Sequence, residues 1–116
     1  MTPLHFAAGE GHFAVVELLL RAGARRDPQT LNDGFTPLMY AALYGDAEAV
    51  RLLLAARANP NTANESGGTA LMYALDDAVK TRLLLDAGAD PNTRSGEGRT
   101  ALLIAVGRTG SYPIVK

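Results

Sequence analysis

The chain has 116 residues, of which 47% are apolar and 20% charged, and its formal net charge is −1. This composition is typical of one soluble domain, and the near-neutral charge argues against nucleic acid or an anionic membrane surface as a partner. The absence of cysteine excludes disulfides, thiolate metal ligands and cysteine nucleophiles. No apolar run approaches the roughly 20 residues that a membrane span requires. We therefore expect neither nucleic acid nor a membrane as a partner.

Four similar triplets recur at intervals of 34, 33 and 31 residues: Thr2-Pro3-Leu4, Thr36-Pro37-Leu38, Thr69-Ala70-Leu71 and Thr100-Ala101-Leu102. A period of about 33 residues is typical of stacked helical repeats. The spacing predicts one domain, residues 1–116, with full repeats at 2–35, 36–68 and 69–99 and a partial repeat at 100–116.

Each repeat predicts two helices. Thr2 can cap the free N–H groups at a helix start, and Pro3 occupies the next position, where its missing N–H does no harm. Gly11 then breaks the chain, and a second apolar helix follows with the run from Leu18 to Leu20. The same pattern along the chain predicts helices near residues 3–9, 13–21, 37–43, 47–55, 70–75, 78–86 and 101–107, and a partial helix at the C-terminus.

Segments rich in Asn, Asp, Pro and Gly follow each second helix and predict extended β-turn segments, here called fingers. The helices of neighbouring repeats should stack, because one hairpin buries too little surface alone. We expect burial of the aligned first-helix residues Leu4, Leu38, Leu71 and Leu102, with Phe6, Tyr40, Tyr73 and Ile104.

These residues resemble the ankyrin repeat, and the segment from Thr2 to His12, TPLHFAAGEGH, fits that family's pattern almost letter for letter. The resemblance covers nearly the whole chain. It implies an all-α solenoid of stacked helix–turn–helix hairpins with β-turn fingers, and a protein partner bound at the finger tips and the concave face of the first helices. The terminal repeats lack polar caps, which predicts a piece of a longer protein and self-association through these repeats.

Three departures from the pattern have structural consequences. Arg57 occupies a position where the other repeats have Gly, and should adopt a positive φ. The third repeat lacks two residues at its helix–helix turn, so its first helix should be about half a turn shorter, and Asp76 and Asp77 should cap that turn. Thr81 replaces an apolar residue, and its hydroxyl should bond back to a carbonyl in the preceding turn.

The sequence offers no site for catalysis or for a cofactor. His5 and His12 fall at positions where the repeat uses histidine structurally, and no carboxylate at helical spacing completes a metal-ligand set. No activated nucleophile or acid–base pair is evident either. We expect no enzyme activity, no metal and no cofactor.

Positions that vary between repeats are the candidates for partner binding, because packing fixes the others. In the fingers they are Asn32, Asp33, Phe35, Glu65, Ser66, Glu97 and Arg99, and on the first helices Glu10, Leu43 and Tyr44. Phe35, Leu43 and Tyr44 have the character of interface anchors, although Leu43 and Tyr44 could equally cover only the neighbouring turn. The acidic residues of the fingers, Asp33, Glu65 and Glu97, would suit a basic or hydrogen-bond-donating partner. The alternative is that they are only a row of solvated surface charges.

Two functional hypotheses follow. The first is a protein-interaction module that uses the fingers and the concave face. The second is a structural or regulatory spacer within a larger, multidomain and even enzymatic protein.

Overall fold

The computed structural model describes residues 1–94, which form six short helices and, within that part, no β-strand. The predicted stack of helical hairpins is therefore confirmed. The helices are α1 (Pro3–Gly9), α2 (Phe13–Arg21), α3 (Pro37–Leu43), α4 (Ala47–Ala55), α5 (Ala70–Tyr73) and α6 (Ala78–Asp86). Five match the predicted bounds, and α5 ends earlier than predicted. The predicted helix at 101–107 and the partial helix after it lie outside the described residues.

The threonine caps form in two of the three repeats. Oγ1 of Thr2 accepts from the backbone N–H of His5 (3.3 Å), and Oγ1 of Thr36 accepts from that of Met39 (3.2 Å). Thr69 has the same extended backbone but makes no side-chain cap bond, so the predicted cap is wrong there. The N–H of Met72, which such a cap would engage, instead donates to the Thr69 carbonyl at 3.0 Å.

The helices form two layers. The first helices, α1, α3 and α5, pack side by side, and the second helices, α2, α4 and α6, pack behind them. Alanines let the layers approach closely, and leucines and valines fill the space between them. The buried core includes Leu4, Ala8, Val16, Leu38, Ala42, Val50, Leu53, Leu71 and Leu84. Burial of the aligned leucines is thus confirmed within the described residues; Leu102 and Ile104 lie beyond them.

Burial of the aligned aromatic residues was predicted less well. Tyr40 and Tyr73 are half-buried, but Phe6 is 56% exposed, so the prediction is wrong for Phe6. A residue two positions after Leu4 points to nearly the opposite side of a helix from that buried leucine. The ring of Phe35 covers both tyrosines, with centroids at 5.4 Å and 5.3 Å. No ring contact of Phe6 is present among the described residues.

The third repeat absorbs its two-residue deletion at the helix–helix turn. Helix α5 has four residues where α3 has seven, which is a larger loss than the half turn predicted. Asp77 caps α6, accepting at Oδ1 from the N–H groups of Val79 (2.9 Å) and Lys80 (3.2 Å), as predicted. The hydroxyl of Thr81 does not bond to the preceding turn of its own helix, contrary to the prediction, but donates to the carbonyl of Ala74, the residue after α5 (2.8 Å).

A lysine occupies the space that the deleted turn would fill. Between the first two repeats, Gly45 packs so closely against the Ala8 carbonyl oxygen that a Cβ would collide with it. The third repeat has no residue equivalent to Gly45. Instead Lys80, which is buried, donates from Nζ to the carbonyl of Ala42, the equivalent of Ala8, at 3.2 Å.

Arg57 has a φ of 71°, as predicted, where Gly23 and Gly88 have 93° and 100°. Its carbonyl accepts from Nε of Arg26 in the preceding repeat (2.9 Å), and the Gly88 carbonyl accepts from Nδ2 of Asn61 (3.0 Å). This left-handed residue therefore also forms a contact between repeats.

Candidate functional site

The first finger, residues 29–35, is held by its own side chains. Oγ1 of Thr30 accepts from the N–H of Phe35 (3.0 Å) and donates to the carboxylate of Asp33. Nε2 of Gln29 donates to the Gly34 carbonyl (2.8 Å). These bonds close the longer finger of the first repeat and orient the Phe35 ring toward the first helices.

The second finger is organised by Asn64, which is buried. Its Oδ1 accepts from the N–H and hydroxyl groups of Ser66 (3.2 and 3.0 Å) and from the N–H of Gly68 (2.8 Å). Its Nδ2 donates to the hydroxyl of Tyr73 on α5 (2.8 Å). Sequence reasoning missed Asn64: the bonds within the finger are turn bonds that Asn commonly makes, but the bond that joins the finger to α5 depends on Tyr73 in the next helix.

The two fingers are joined edge to edge. The N–H of Glu65 donates to the Asp33 carbonyl (3.0 Å), and Nε2 of Gln29 also donates to the Ala63 carbonyl (3.2 Å). The structure thus brings together four predicted finger residues, all of them exposed: Asn32, Asp33, Glu65 and Ser66. Leu31, at the tip beside them, is 96% exposed and was not among the candidates. Glu97 and Arg99 lie outside the described residues.

Four rings form a continuous aromatic row from the fingers across the first helices: Tyr44, Tyr40, Phe35 and Tyr73. Tyr44 stacks on Tyr40 with centroids 6.1 Å apart and planes at 25°, and Phe35 lies between Tyr40 and Tyr73. Tyr44 is 67% exposed. Leu43, the other helix candidate, is half-buried. Tyr40, expected only in the core, is the residue that connects Phe35 with Tyr44.

A surface cavity of about 270 Å³ lies at the Tyr44 end of the row. It is lined by the two stacked tyrosines and by residues of the first repeat: Met1, His5, Phe6, Gly9, Glu10, Tyr40 and Tyr44. The exposure of Phe6 therefore adds an aromatic wall to this surface.

His5 lines this cavity, and both of its ring nitrogens form hydrogen bonds that stabilise the fold. Its Nδ1 is 3.1 Å from the N of Thr2 and 2.9 Å from its hydroxyl, its Nε2 is 2.7 Å from the Phe35 carbonyl oxygen, and its ring meets that of Tyr40 edge-on. Burial lowers the pKa of His5, and burial together with the nearby charge of Asp33 raises the pKa of Tyr40. The structural role expected for His5 is observed. His12 is exposed and makes no side-chain cap bond to α2.

Charges are divided between the two sides of the stack. Helices α1, α3 and α5 and the finger segments 29–35 and 63–68 carry no Lys or Arg, and Arg25 and Arg26 lie just before the first of these segments. The basic residues among 1–94 lie on or after the second helices: Arg21, Arg25, Arg26, Arg51, Arg57, Lys80, Arg82 and Arg94. Within the described residues, no group of three or more His, Asp or Glu could hold a metal ion, and no helix is long and apolar enough to cross a membrane.

A stack of helical hairpins with fingers and an aromatic row across its first helices defines a repeat protein of the solenoid class. Residues 1–64 match the family model described as ankyrin repeats (3 copies), and residues 77–116 match one described as ankyrin repeats (many copies). The chain belongs to the ankyrin-repeat family. Ankyrin repeats are protein–protein interaction modules, and domains built from them are generally non-catalytic.

Similar curated proteins come from plants and animals. A probable E3 ubiquitin-protein ligase of rice (Oryza sativa subsp. japonica) is 45% identical over 67% of this chain. A homolog of a transient receptor potential cation channel, subfamily A member 1, from Caenorhabditis elegans is 46% identical over 61%, and mouse protein phosphatase 1 regulatory subunit 12A is 40% identical over 66%. The aligned regions span only 15%, 6% and 7% of these relatives' own lengths.

Proposed function

We propose that this chain binds a protein partner across the fingers and the concave face of the first helices. The contact surface comprises Asn32, Asp33, Phe35, Leu43, Tyr44, Glu65 and Ser66, and extends to Glu97 and Arg99 of the third finger. The observation that carries the proposal is the aromatic row, whose outer ring, Tyr44, is 67% exposed and lines the same cavity as Phe6, which is 56% exposed. Exposed aromatic residues on a scaffold are typical binding anchors.

The same surface supports a binding role without catalysis. Both ring nitrogens of His5 face partners that hold the fold, Thr2 and the Phe35 carbonyl. An acid–base catalyst needs a group free to exchange its proton with a substrate. On this proposal the chain is not an enzyme and requires no metal or cofactor.

Selection of partners from displayed random peptides tests the surface. The affinity of peptides selected on the wild-type protein is then measured for the Tyr44→Ala variant and for Val79→Ala, which truncates a 59% exposed residue on α6. Tyr44→Ala should weaken binding by about 1–3 kcal/mol, and Val79→Ala should leave it unchanged. Peptides whose affinity is insensitive to Tyr44→Ala would rule out the proposed surface.

The second candidate is a regulatory or spacer segment of a larger protein. The relatives favour it, because the aligned regions are small parts of a probable ligase, a channel homolog and a phosphatase regulatory subunit. In the selection above, this candidate predicts no peptide that depends on Tyr44.

Self-association is a further part of the proposal, and the exposed side of α2 supports it. Phe13, Val15 and Leu18 on this helix are all exposed, and apolar surface of this kind favours association. Sedimentation over a concentration range should show oligomers for the wild-type chain and monomers for Phe13→Asp, Leu18→Lys. The control, Val79→Lys on α6, should associate as the wild type does, and a monomeric wild-type chain would contradict the proposal.

A further inference from the structure

We propose that the partner segment is basic, and that one of its arginines stacks on Tyr44 while pairing with the carboxylate of Glu10. This inference rests on the proposed protein-binding function and specifies the chemistry of the partner. It follows from the exposed rings of the first helices and from the acidic residues without an ion pair on the same face.

Three of the acids behind the stack are paired within the protein. Glu17 pairs with Arg21 (3.2 Å), Asp27 with Arg26 (3.9 Å), and Glu48 with Arg51. None of the ion pairs among residues 1–94 includes an acid of the concave face or of the first two fingers, namely Glu10, Asp33 or Glu65. All three are exposed. The face formed by the first helices and the fingers therefore carries negative charges without an ion-pair partner, and a positively charged partner would complement it.

These acids lie beside the exposed rings. Glu10 lines the same cavity as Tyr40 and Tyr44. Asp33 lies two residues before Phe35, whose ring is 5.4 Å from that of Tyr40, and it adds a second exposed carboxylate to the same face. A cation in this cavity would meet aromatic faces and negative charge together.

The arrangement favours arginine over lysine. Tyr44 and Tyr40 are nearly parallel, so the outer ring presents a flat face onto which a planar guanidinium can stack. The guanidinium can at the same time donate to a carboxylate through its edge, whereas an ammonium is a compact, strongly hydrated point charge. An acidic partner, including a nucleic acid, would be repelled by the same carboxylates.

Defined peptides test this directly. A labelled, capped peptide in which Arg alternates with Ser is titrated by fluorescence anisotropy, beside versions carrying Lys or Glu. We expect the Arg peptide to bind at least about threefold more tightly than the Lys peptide, and the Glu peptide not to bind. Raising the ionic strength should weaken the binding of the Arg peptide.

Two charge variants locate the site. Glu10→Gln and Asp33→Asn should each weaken Arg-peptide binding by about three- to tenfold, and Asn at position 33 can still accept the Thr30 hydrogen bond. Asp86→Asn makes the same change of net charge at an exposed position on α6, and it should have no effect. Equal losses in all three variants, or equal binding of the Arg and Glu peptides, would overturn the proposal. Circular dichroism confirms that each variant is folded.

Failure here can be separated from failure of the proposed function. If Tyr44-dependent peptides from the display selection are uncharged or acidic, the basic partner is wrong and the binding surface stands. If Tyr44→Ala changes the binding of no peptide in either experiment, the proposed surface itself is wrong.

Discussion

His5 connects the start of the first helix to the finger that follows its repeat. Two groups of Thr2 face its Nδ1, and the Phe35 carbonyl faces its Nε2. These partners are all satisfied only if Nδ1 accepts and Nε2 donates, which assigns the neutral ring with its proton on Nε2. A second proton on Nδ1 would remove the acceptor that the Thr2 N–H uses.

This assignment predicts a pH-dependent stability. Because the folded pKa of His5 lies below its unfolded value of 6.5, the unfolded chain binds the proton more readily. The contribution of His5 is complete above pH 6.5 and is lost as pH falls through the folded pKa, with a slope of at most about 1.4 kcal/mol per pH unit. Urea unfolding at several pH values should show this loss in the wild-type chain and in His12→Gln. A slope as steep in His5→Gln would contradict the assignment.

Arg57 carries a backbone strain that glycine would relieve. Its φ of 71° costs a residue with a Cβ on the order of 1 kcal/mol, and the bond from Arg26 reaches its backbone oxygen, which glycine retains. Arg57→Gly should raise stability by some tenths to about 1 kcal/mol in a thermal melt. Ala56→Gly, next to it at a φ of −84°, should lower stability, and a destabilised Arg57→Gly would point to a contact of the Arg57 side chain.

Single positions were predictable where the constraint is local. The positive φ of Arg57 and the cap at Asp77 follow from their places in the repeat. Asn64, Lys80 and Leu31 could not be found in this way. The first two acquire their roles from partners in other elements, Tyr73 and Ala42, and the exposure of Leu31 depends on the shape of its finger.

Among the elements, the third repeat shows how a helical hairpin tolerates a missing turn. The shortened α5 leaves the Ala42 carbonyl without the close neighbour that its equivalent, Ala8, finds in Gly45. The Lys80 ammonium occupies this place and donates to the oxygen. A buried carbonyl without a donor would cost about 1–3 kcal/mol, so the lysine offsets a cost of the deletion.

Lys80→Met tests this replacement, because methionine has a similar length but no donor. It should destabilise the chain by about 1–3 kcal/mol in urea unfolding, since the Ala42 carbonyl would remain buried without its bond. Arg82→Met changes the same charge at an exposed site on the same helix and should have little effect. Equal stability of Lys80→Met and the wild type would show that water or a backbone shift replaces the ammonium.

Helix bounds were predictable because each start and stop signal recurs with the period. The exceptions arise where repeats differ: α5 ends early because its turn is deleted, and Phe6 is exposed although its counterparts are half-buried. Alignment of repeats assigns equivalent positions the same surroundings. Phe6 has no ring like Phe35 against it in the described structure, so its equivalence to Tyr40 does not extend to burial.

At the scale of the whole molecule, Phe35 ties together elements of consecutive repeats. It belongs to the first repeat in sequence, yet its ring contacts Tyr40 of the second and Tyr73 of the third. Such aromatic pairs contribute about 0.5–1.5 kcal/mol beyond the area they bury. The binding surface could be predicted as a set of variable residues, but not as a connected row, because its links, Tyr40 and Tyr73, were assigned to the core.

A double-mutant cycle measures the energetic coupling between Phe35 and Tyr73. Phe35→Leu and Tyr73→Leu, alone and combined, should show a coupling energy of about 0.5–1.5 kcal/mol in urea unfolding. The same cycle between Tyr73→Leu and Phe6→Leu should be additive, because no ring contact joins that pair. Additivity in both cycles would mean that the rings of Phe35 and Tyr73 are close together but do not stabilise each other.

The dependence of later repeats on Phe35 also bears on how such a gene can grow or shrink. Arrays of this kind lengthen and shorten by duplication or loss of whole repeats, and the sequence period suggests a cut just before Thr36. A crossover there would separate Phe35 from both tyrosines, and Gln29 from the Ala63 carbonyl. A breakpoint just before Arg26 would keep these contacts and the bond from Arg26 to Arg57, and would instead break the bond between His5 and the Phe35 carbonyl. The unit defined by the contacts of Phe35 with later repeats is therefore offset from the unit defined by the sequence period.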